Sequence, residues 1–337
     1  MTHRVTSHDV AALAGVSRSA VSLVLNKRAD GVISAENQAA VLAAAQQLGY
    51  RPNRVARSLR NAATHTIGVI TDSIASGAYG GAMIAGATEV AGRAGYLLLA
   101  IDSHQDRELE VEAVDMLRAR QCDALLFAAE GLHPWEPTPA FLAEKSLLLN
   151  AFDPEGRVAG VVSDEELGGY RATRMLLEAG HRRIRYLTGT SEVTANGRRI
   201  SGHWRALAEA PGAHSELVEC GWQIDAGLAV GSRVLDVAEP PTAVLCANDR
   251  VAAGVFLAAA RLGLRIPEDL SVVGYDDDPN VAPQLGLSTV RLPHRKMGEH
   301  AAALLLDRLE GKDLPTGEIA VDSPAVPRSS VAPPRVG

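Results

Sequence analysis

The chain has 337 residues, 47% of them hydrophobic and 22% charged, an ordinary balance for a globular protein with sequence enough for two or more domains. MTHRV at the start is not followed by an apolar segment, and no run of about 18 apolar residues occurs. Neither a signal peptide nor a membrane span is therefore expected, and a cytoplasmic location is. The net charge of −7 divides unevenly: through residue 61 eight basic residues face three acids, a balance of +5 that leaves −12 for the rest. A basic head on an acidic body suits a protein that touches phosphate with one end only. Cys122, Cys220 and Cys246 lie far apart in or beside apolar runs, which fits neither zinc-ligand spacing nor a disulfide framework and implies buried, reduced thiols.

Two short helices are predicted on either side of Ala14-Gly15-Val16. Val10, Leu13 and Ala14 share one face of the first, and Thr6 with Asp9 three residues later has the form of a capping box. Gly15 supplies the positive φ that the turn needs, and Ser17 is a natural N-cap for the second helix, whose apolar stripe is Val21, Val24 and Leu25. The spacing is that of a helix-turn-helix whose second helix enters a DNA major groove. A surface helical hairpin shares that spacing. After the polar KRADG turn, Ser34 caps a third helix with Val41, Leu42, Ala45 and Leu48 on one side and Gly49 as its stop. Arg51-Pro52 breaks the chain, and Asn53 caps a seven-residue segment, RVARSLR, with Val55 and Leu59 on one face. A helix this short is marginal in water. It orders either against DNA and a second copy or as a linker helix packed on the body.

From Thr66 the texture changes to apolar strands alternating with amphipathic segments. TIGVITD, YLLLAID, ALLFAA, LLLN and VAGVVSD form one set, with helices around 80–94 and 106–120. IRYLTG, ELVECG, AVLCAND and SVVGYDD form a second, with helices near 194–209, 225–238 and 249–262. A helix at 295–310 and a strand EIAVD follow. The final SPAVPRSSVAPPRVG is rich in Pro and Ser, should be disordered at its end, and has no heptad for a coiled coil. In open parallel sheets, ligands sit outside the carboxyl ends of the strands, so Asp276 and Asp277 at the end of SVVGYDD, Asn248 and Asp249 at the end of AVLCAND, and Trp222 after ELVECG are site candidates. Asp249 reads more readily as a helix N-cap than as a ligand. His181 and His203 show no ligand spacing and are expected to cap helices or face solvent. The chain lacks GxGxxG after a strand, GxxxxGK[ST], GxSxG and HExxH, so an enzyme is not expected, and no cofactor or metal is implied.

DVAALAGVS, AVSLVLN and GYRPNRVARSLR resemble the DNA-binding head of the lactose-repressor (LacI/GalR) family, in that family's order and spacing, and the likeness extends through nearly the whole chain. It implies an all-α helix-turn-helix head plus an α/β periplasmic-binding-protein-like core of two doubly wound lobes. The implied divisions are a head at 1–50, a hinge at 51–63, a core at 64–328 and a disordered tail at 329–337. Lobe 1 would span about 64–162 and 291–318, and lobe 2 about 163–290 and 319–328. The implied function is a transcriptional regulator, most readily a dimeric repressor, that binds a near-palindromic operator under control of a small effector in the interlobe cleft. A transport binding protein would share the two lobes but has no use for the basic head.

The resemblance implies that Arg18 and Ser19 read base edges, and that Thr6, Ser17, Ser22, Asn26, Asn53, Val55 and Ala56 contact DNA. Leu59 would wedge between base steps in the minor groove. Leu23 stands where the family most often has arginine; it offers apolar contact to a thymine methyl or packs against the head's own core. The KRADG turn is slightly longer than the family's commonest version. For the effector the resemblance implies Arg199, Trp222, Asn248 and Asp276, with Asp72, Ser73, Tyr79, Asp153 and Asp164 from the first lobe and its crossover. Carboxylates, an amide and an arginine around an aromatic plate suit a sugar; a nucleobase, which also stacks on tryptophan and can give an N–H to an aspartate, is the alternative.

Overall fold

The computed structural model describes residues 5–26, 28–50, 63–73 and 80–335. The hinge residues Asn53, Val55, Ala56 and Leu59, and Tyr79 of the first lobe, lie outside the described residues. The chain divides into two compact units, Met1–Thr64 and His65–Gly337.

In the head, α1 (Ser7–Ala14) begins at a capping box in which the Thr6 N–H donates to Asp9 Oδ2 over 2.7 Å and Thr6 Oγ1 accepts from the N–H of His8. It ends at Gly15, whose φ of 67° only glycine adopts without strain. Ser17 caps α2 (Arg18–Leu25) and Ser34 caps α3 (Ala35–Gln47). Val10, Ala11, Val21, Val24, Ala29, Val41, Ala44 and Ala45 form the core. Leu13 and Leu42 are not part of it: they are 48% and 55% exposed. In helices of two or three turns the small Ala11 and Ala44 take the interior positions, which turns the apolar stripe by one residue from the expected face.

The larger unit is built on two parallel sheets. The first contains β1 (Thr66–Thr71), β2 (Leu97–Asp102), β3 (Ala124–Pro134), β4 (Ser146–Phe152), β5 (Ala159–Ser163) and β11 (Gly317–Val321), in the order β11-β5-β4-β3-β1-β2. Its helices are α4 (Gly80–Arg93), α5 (Arg107–Ala119), the one-turn α6 (Pro139–Leu142) and α11 (His294–Leu309). The second contains β6 (Arg183–Thr188), β7 (His214–Glu219), β8 (Ala243–Cys246) and β9 (Ser271–Val273), in the order β7-β6-β8-β9. It is covered by α7 (Glu165–Glu178), α8 (Thr194–Ala208), α9 (Ile224–Leu235) and α10 (Asp249–Arg261). β10 (Thr289–Val290) and β12 (Ala325–Val326) pair antiparallel as a small ribbon. The near-continuous apolar runs of the central strands are explained by this layering, since helices cover both faces there, whereas the edge strands β2, β7 and β11 are partly exposed.

The chain passes between sheets three times: between β5 and α7, between β10 and α11, and between β11 and β12. β11 stays registered with β5 through Val321↔Ser163, so the last crossover falls beyond residue 321 rather than at 318. The tail is also not disordered through residue 335. Ser330 is buried, its hydroxyl donating to Val272 O over 2.6 Å and accepting from the Ser288 N–H over 2.8 Å. Arg335 pairs with Asp269. His181 holds the same segment from inside, with Nε2 2.9 Å from Ala332 O and Nδ1 2.9 Å from Thr242 Oγ1. His181 and His203 are buried rather than solvent-facing, and burial pushes both below the ordinary histidine range, His203 to about 4. The cysteines are free thiols; Cys246 is buried, whereas Cys122 and Cys220 are half-buried. Among the described residues no helix is long and apolar enough to cross a membrane, and no cluster of His, Cys, Asp and Glu could hold a metal.

Candidate functional site

The head presents one polar face. Ser17, Arg18 and Ser19 are exposed at the start of α2, and Ser22 and Asn26 follow along the same side. Ser17 Oγ accepts from the Ala20 N–H over 3.2 Å, and Asn26 Nδ2 donates to Ser22 O over 2.6 Å. Thr6 is committed to the capping box of α1. Leu23 is half-buried and packs against the head core. Arg18 enters no ion pair with a described residue, so its guanidinium is available at a helix N-terminus, where the backbone already favours phosphate.

In the larger unit a cavity of about 850 Å³ opens between the two sheets at the carboxyl ends of their strands, within the size range of small-molecule sites. The first sheet contributes Asp72 and Ser73 after β1, Glu130 from β3 and Asn150 from β4. The second contributes Trp222 after β7, Asn248 after β8 and Asp276 after β9. Arg199 enters from α8, Glu165 from the first turn of α7, and His294 from the start of α11.

Most of these side chains are already held. Asn248 caps α10 through Oδ1, which accepts from the Val251 N–H over 2.8 Å, and its Nδ2 donates to Trp222 O over 3.0 Å. The amide thereby positions Trp222, while Asn248 itself also lines the cavity. The Trp222 ring lies over Gly189, where a Cβ would stand 2.7 Å from Cε2, and its Nε1 donates to Thr190 Oγ1 over 3.3 Å. Asp72 Oδ1 accepts from the N–H groups of Ser73 and Glu130. Burial raises its carboxyl above the ordinary value, those hydrogen bonds and His133 opposing. Ser73 Oγ donates to Glu130 Oε2 over 3.0 Å. Asn150 donates to Ala129 O and Glu130 O.

Arg199 is buried and stacked on Tyr275, its Cζ 3.7 Å from the ring centroid. Its Nε donates to Glu165 Oε2 over 2.7 Å, one terminal nitrogen reaches Ala247 O over 2.7 Å, and the other lies 3.4 Å from Glu165 Oε1 and 3.9 Å from Asp276 Oδ1. Asp276 sits at the end of β9 with φ 105°, a left-handed value rare outside glycine and a mark of a conformation imposed by its surroundings. That conformation is clamped by hydrogen bonds from its N–H to Val290 O over 2.8 Å and from the Leu292 N–H to its own carbonyl over 3.2 Å. Burial pushes the Asp276 carboxyl well above the usual range; Arg199 opposes, while Asp249 and Glu165 add to the rise. Burial likewise carries Asp249 to about 7, against the opposing hydrogen bonds it accepts from Thr289 Oγ1 and the Asp278 N–H. Asp249 is the first residue of α10 and not its cap. His294 is driven by burial to about 4.

Asp153 and Asp164 do not line the cavity. Asp153 is turned to Arg157, whose Nε lies 2.9 Å from Oδ2, and Asp164 caps α7 by accepting from the Leu167 N–H over 3.0 Å. Both are strand-end carboxylates taken up by nearby donors. Glu165, Glu130, Asn150 and His294 were not expected from the sequence. Glu165 in particular reads as an ordinary first-turn acid of a helix.

A helix-turn-helix head joined to a two-lobed body with a cavity between its lobes is the build of a DNA-binding transcriptional regulator. Residues 6–53 match the model of bacterial regulatory proteins of the lacI family, and 173–331 that of a periplasmic binding protein-like domain. The HTH-type transcriptional repressor PurR of Vibrio atlanticus (strain LGP32) is 33% identical over 334 residues, covering 97% of this chain and 98% of that protein. Among solved structures, the lac repressor dimer bound to operator and the anti-inducer ONPF superposes with a TM-score of 0.80 at 27% identity, over 98% of this chain and all of that one. A transcriptional regulator CelR–cellobiose complex does so with 0.66 at 27% identity, over 97% and 100%. The chain belongs to the lacI family of bacterial regulatory proteins.

Proposed function

We propose that the chain is a cytoplasmic, homodimeric transcriptional repressor whose hold on a near-palindromic operator is set by a small neutral sugar in the cavity. The head at 1–50 reads one half-site through Arg18, Ser19 and their neighbours on α2, and the hinge at 51–63 supplies the Leu59 wedge. Ligand binding favours one arrangement of the lobes and thereby changes the hinge's ability to order on DNA, a coupling between two sites.

One observation carries the ligand class: Trp222, fixed from behind by Asn248, borders the same cavity as the Asp276 carboxyl and the Arg199 guanidinium. A pyranose answers that set with an apolar C–H face and a rim of hydroxyls. The neighbouring fold solved with cellobiose supports the same class. A purine base is the second reading, because Trp222 also suits a planar ring. A thermal-shift screen of monosaccharides, disaccharides, sugar phosphates and purines on wild type and Asp276→Ala separates them. The expected result is stabilisation of wild type by a neutral sugar and a lost response in the variant. Stabilisation by a purine or a phosphorylated compound alone overturns the sugar reading.

A further inference from the structure

α7 and α8 cross at van der Waals contact because the crossing is lined with glycine. A Cβ at Gly169 would stand 2.7 Å from Arg199 Cα, and one at Gly202 would stand 2.6 Å from the Tyr170 nitrogen. This close approach brings Glu165, at the start of α7, against Arg199 on α8. Their side chains are 3% and 5% exposed. Ser163 Oγ donates a further hydrogen bond to Glu165 Oε1 over 2.7 Å. Burial alone would raise the Glu165 carboxyl, but the Arg199 charge and hydrogen bonds, with Ser163, outweigh it and hold the group below the ordinary value. The pair is thus a carboxylate and a guanidinium that cancel each other in the cavity lining. The nitrogen of Arg199 nearest Asp276 still has donor capacity for a ligand oxygen, but no net charge stands behind it.

We propose that Glu165 sets the charge class of the effector: by neutralising Arg199 it makes the cavity take a neutral hydroxylated ligand and refuse phosphorylated or carboxylated analogues. The inference rests on the reading of this cavity as the effector site. Without Glu165 the buried guanidinium would lose its paired carboxylate and would recruit an anion, since Arg forks match carboxylate and phosphate geometry. With it, an anion meets Glu130 and arginines that already have a carboxylate beside them: Arg199 beside Glu165, Arg107 with Glu110 at 2.8 Å and Arg250 with Asp278 at 4.0 Å.

The test uses the full chain as wild type, Glu165→Gln and Glu165→Asp. Glucose, cellobiose, gluconate, glucose 6-phosphate and inorganic phosphate are titrated by calorimetry at matched ionic strength, with thermal melts as a check on folding. Wild type and Glu165→Asp are expected to give no saturable binding of the three anions. Glu165→Gln should bind at least one of them at least about tenfold more tightly than wild type, equivalent to about 1.4 kcal/mol. A cooperatively folded Glu165→Gln whose anion affinities stay within twofold of wild type overturns the proposal. If that variant does not fold, wild type decides alone: binding glucose 6-phosphate or gluconate as tightly as the neutral sugar overturns it, and a tenfold or greater preference for the neutral sugar supports it. Failure of every neutral sugar would count against the sugar reading, whereas the anion comparison between wild type and Glu165→Gln would still decide the role of Glu165.

Discussion

Gly189→Ala should weaken effector binding while leaving the fold and the head intact. The added methyl would lie 2.7 Å from Trp222 Cε2 and closer still to the outer ring atoms, against about 3.5–4.0 Å for unstrained carbon contact. The ring must therefore withdraw by roughly an ångström. It has room to do so, because it borders a cavity of about 850 Å³, and its carbonyl remains tied to Asn248. The stability cost should accordingly sit near the lower end of the overpacking range, about 1 kcal/mol. The ligand loses its plate, and aromatic contacts of this kind contribute about 0.5–1.5 kcal/mol beyond buried area, so affinity should fall roughly two- to thirteenfold. Calorimetric titration of the effector, beside a thermal melt and an operator-binding assay without ligand, reads all three quantities. Unchanged ligand affinity in a variant with a shifted melt would refute the placement of Trp222 in the site.

Other expectations concern the hinge, a clamp and the tail. Leu59→Ala should reduce specific operator binding by a few kcal/mol, the scale of base unstacking, while non-specific binding stays nearly unchanged; an unaltered ratio of the two in a competition assay would remove the wedge from the hinge. Asp277 is bracketed by Arg328 and Arg291, at 2.6 and 2.7 Å; burial works against its ionisation, but the two arginines hold the carboxyl below its ordinary value. Its depressed folded value means the stabilisation is present in full above the unfolded value of about 3.9 and fades as pH falls through the lower folded one. Asp277→Asn should thus cost roughly 1–2 kcal/mol at pH 7, after discounting for the exposed Arg291, and a difference from wild type that does not shrink as pH falls below the unfolded value would contradict the clamp. Ser330→Ala leaves the buried Ser288 N–H and Val272 carbonyl without their partner and should cost about 1–3 kcal/mol in denaturant unfolding; a neutral result would mean the tail is not docked.

What could be read from the sequence was what depends on near neighbours. The capping box at Thr6 and Asp9, the left-handed Gly15, the caps at Ser17 and Ser34 and the apolar strands are set by residues within one or two turns of each other. The head core was harder, because alanines and leucines both satisfy the helical period and only packing selects Ala11 and Ala44 over Leu13 and Leu42. Strand-end carboxylates misled in the same way: nothing local distinguishes Asp276, which faces the cavity, from Asp153 and Asp164, which satisfy nearby backbone donors. Glu165 was illegible because its partner lies 34 residues away and meets it only through the glycine-lined crossing of α7 and α8. The Pro- and Ser-rich tail looked disordered by composition, yet Ser330 finds backbone partners in two separate segments of the second lobe.

The central claim is that a ligand in the cavity governs sequence-specific DNA binding by the head. Selection of bound sequences from a random DNA pool, followed by titration of the recovered site with and without the stabilising ligand, tests it most directly. The account predicts a near-palindromic sequence whose affinity changes on adding ligand. It also predicts that Asp276→Ala still binds that sequence but responds more weakly, having lost roughly 1.5–3 kcal/mol of ligand affinity. Recovery of no common sequence, or an operator affinity indifferent to a ligand that demonstrably occupies the cavity, would contradict it.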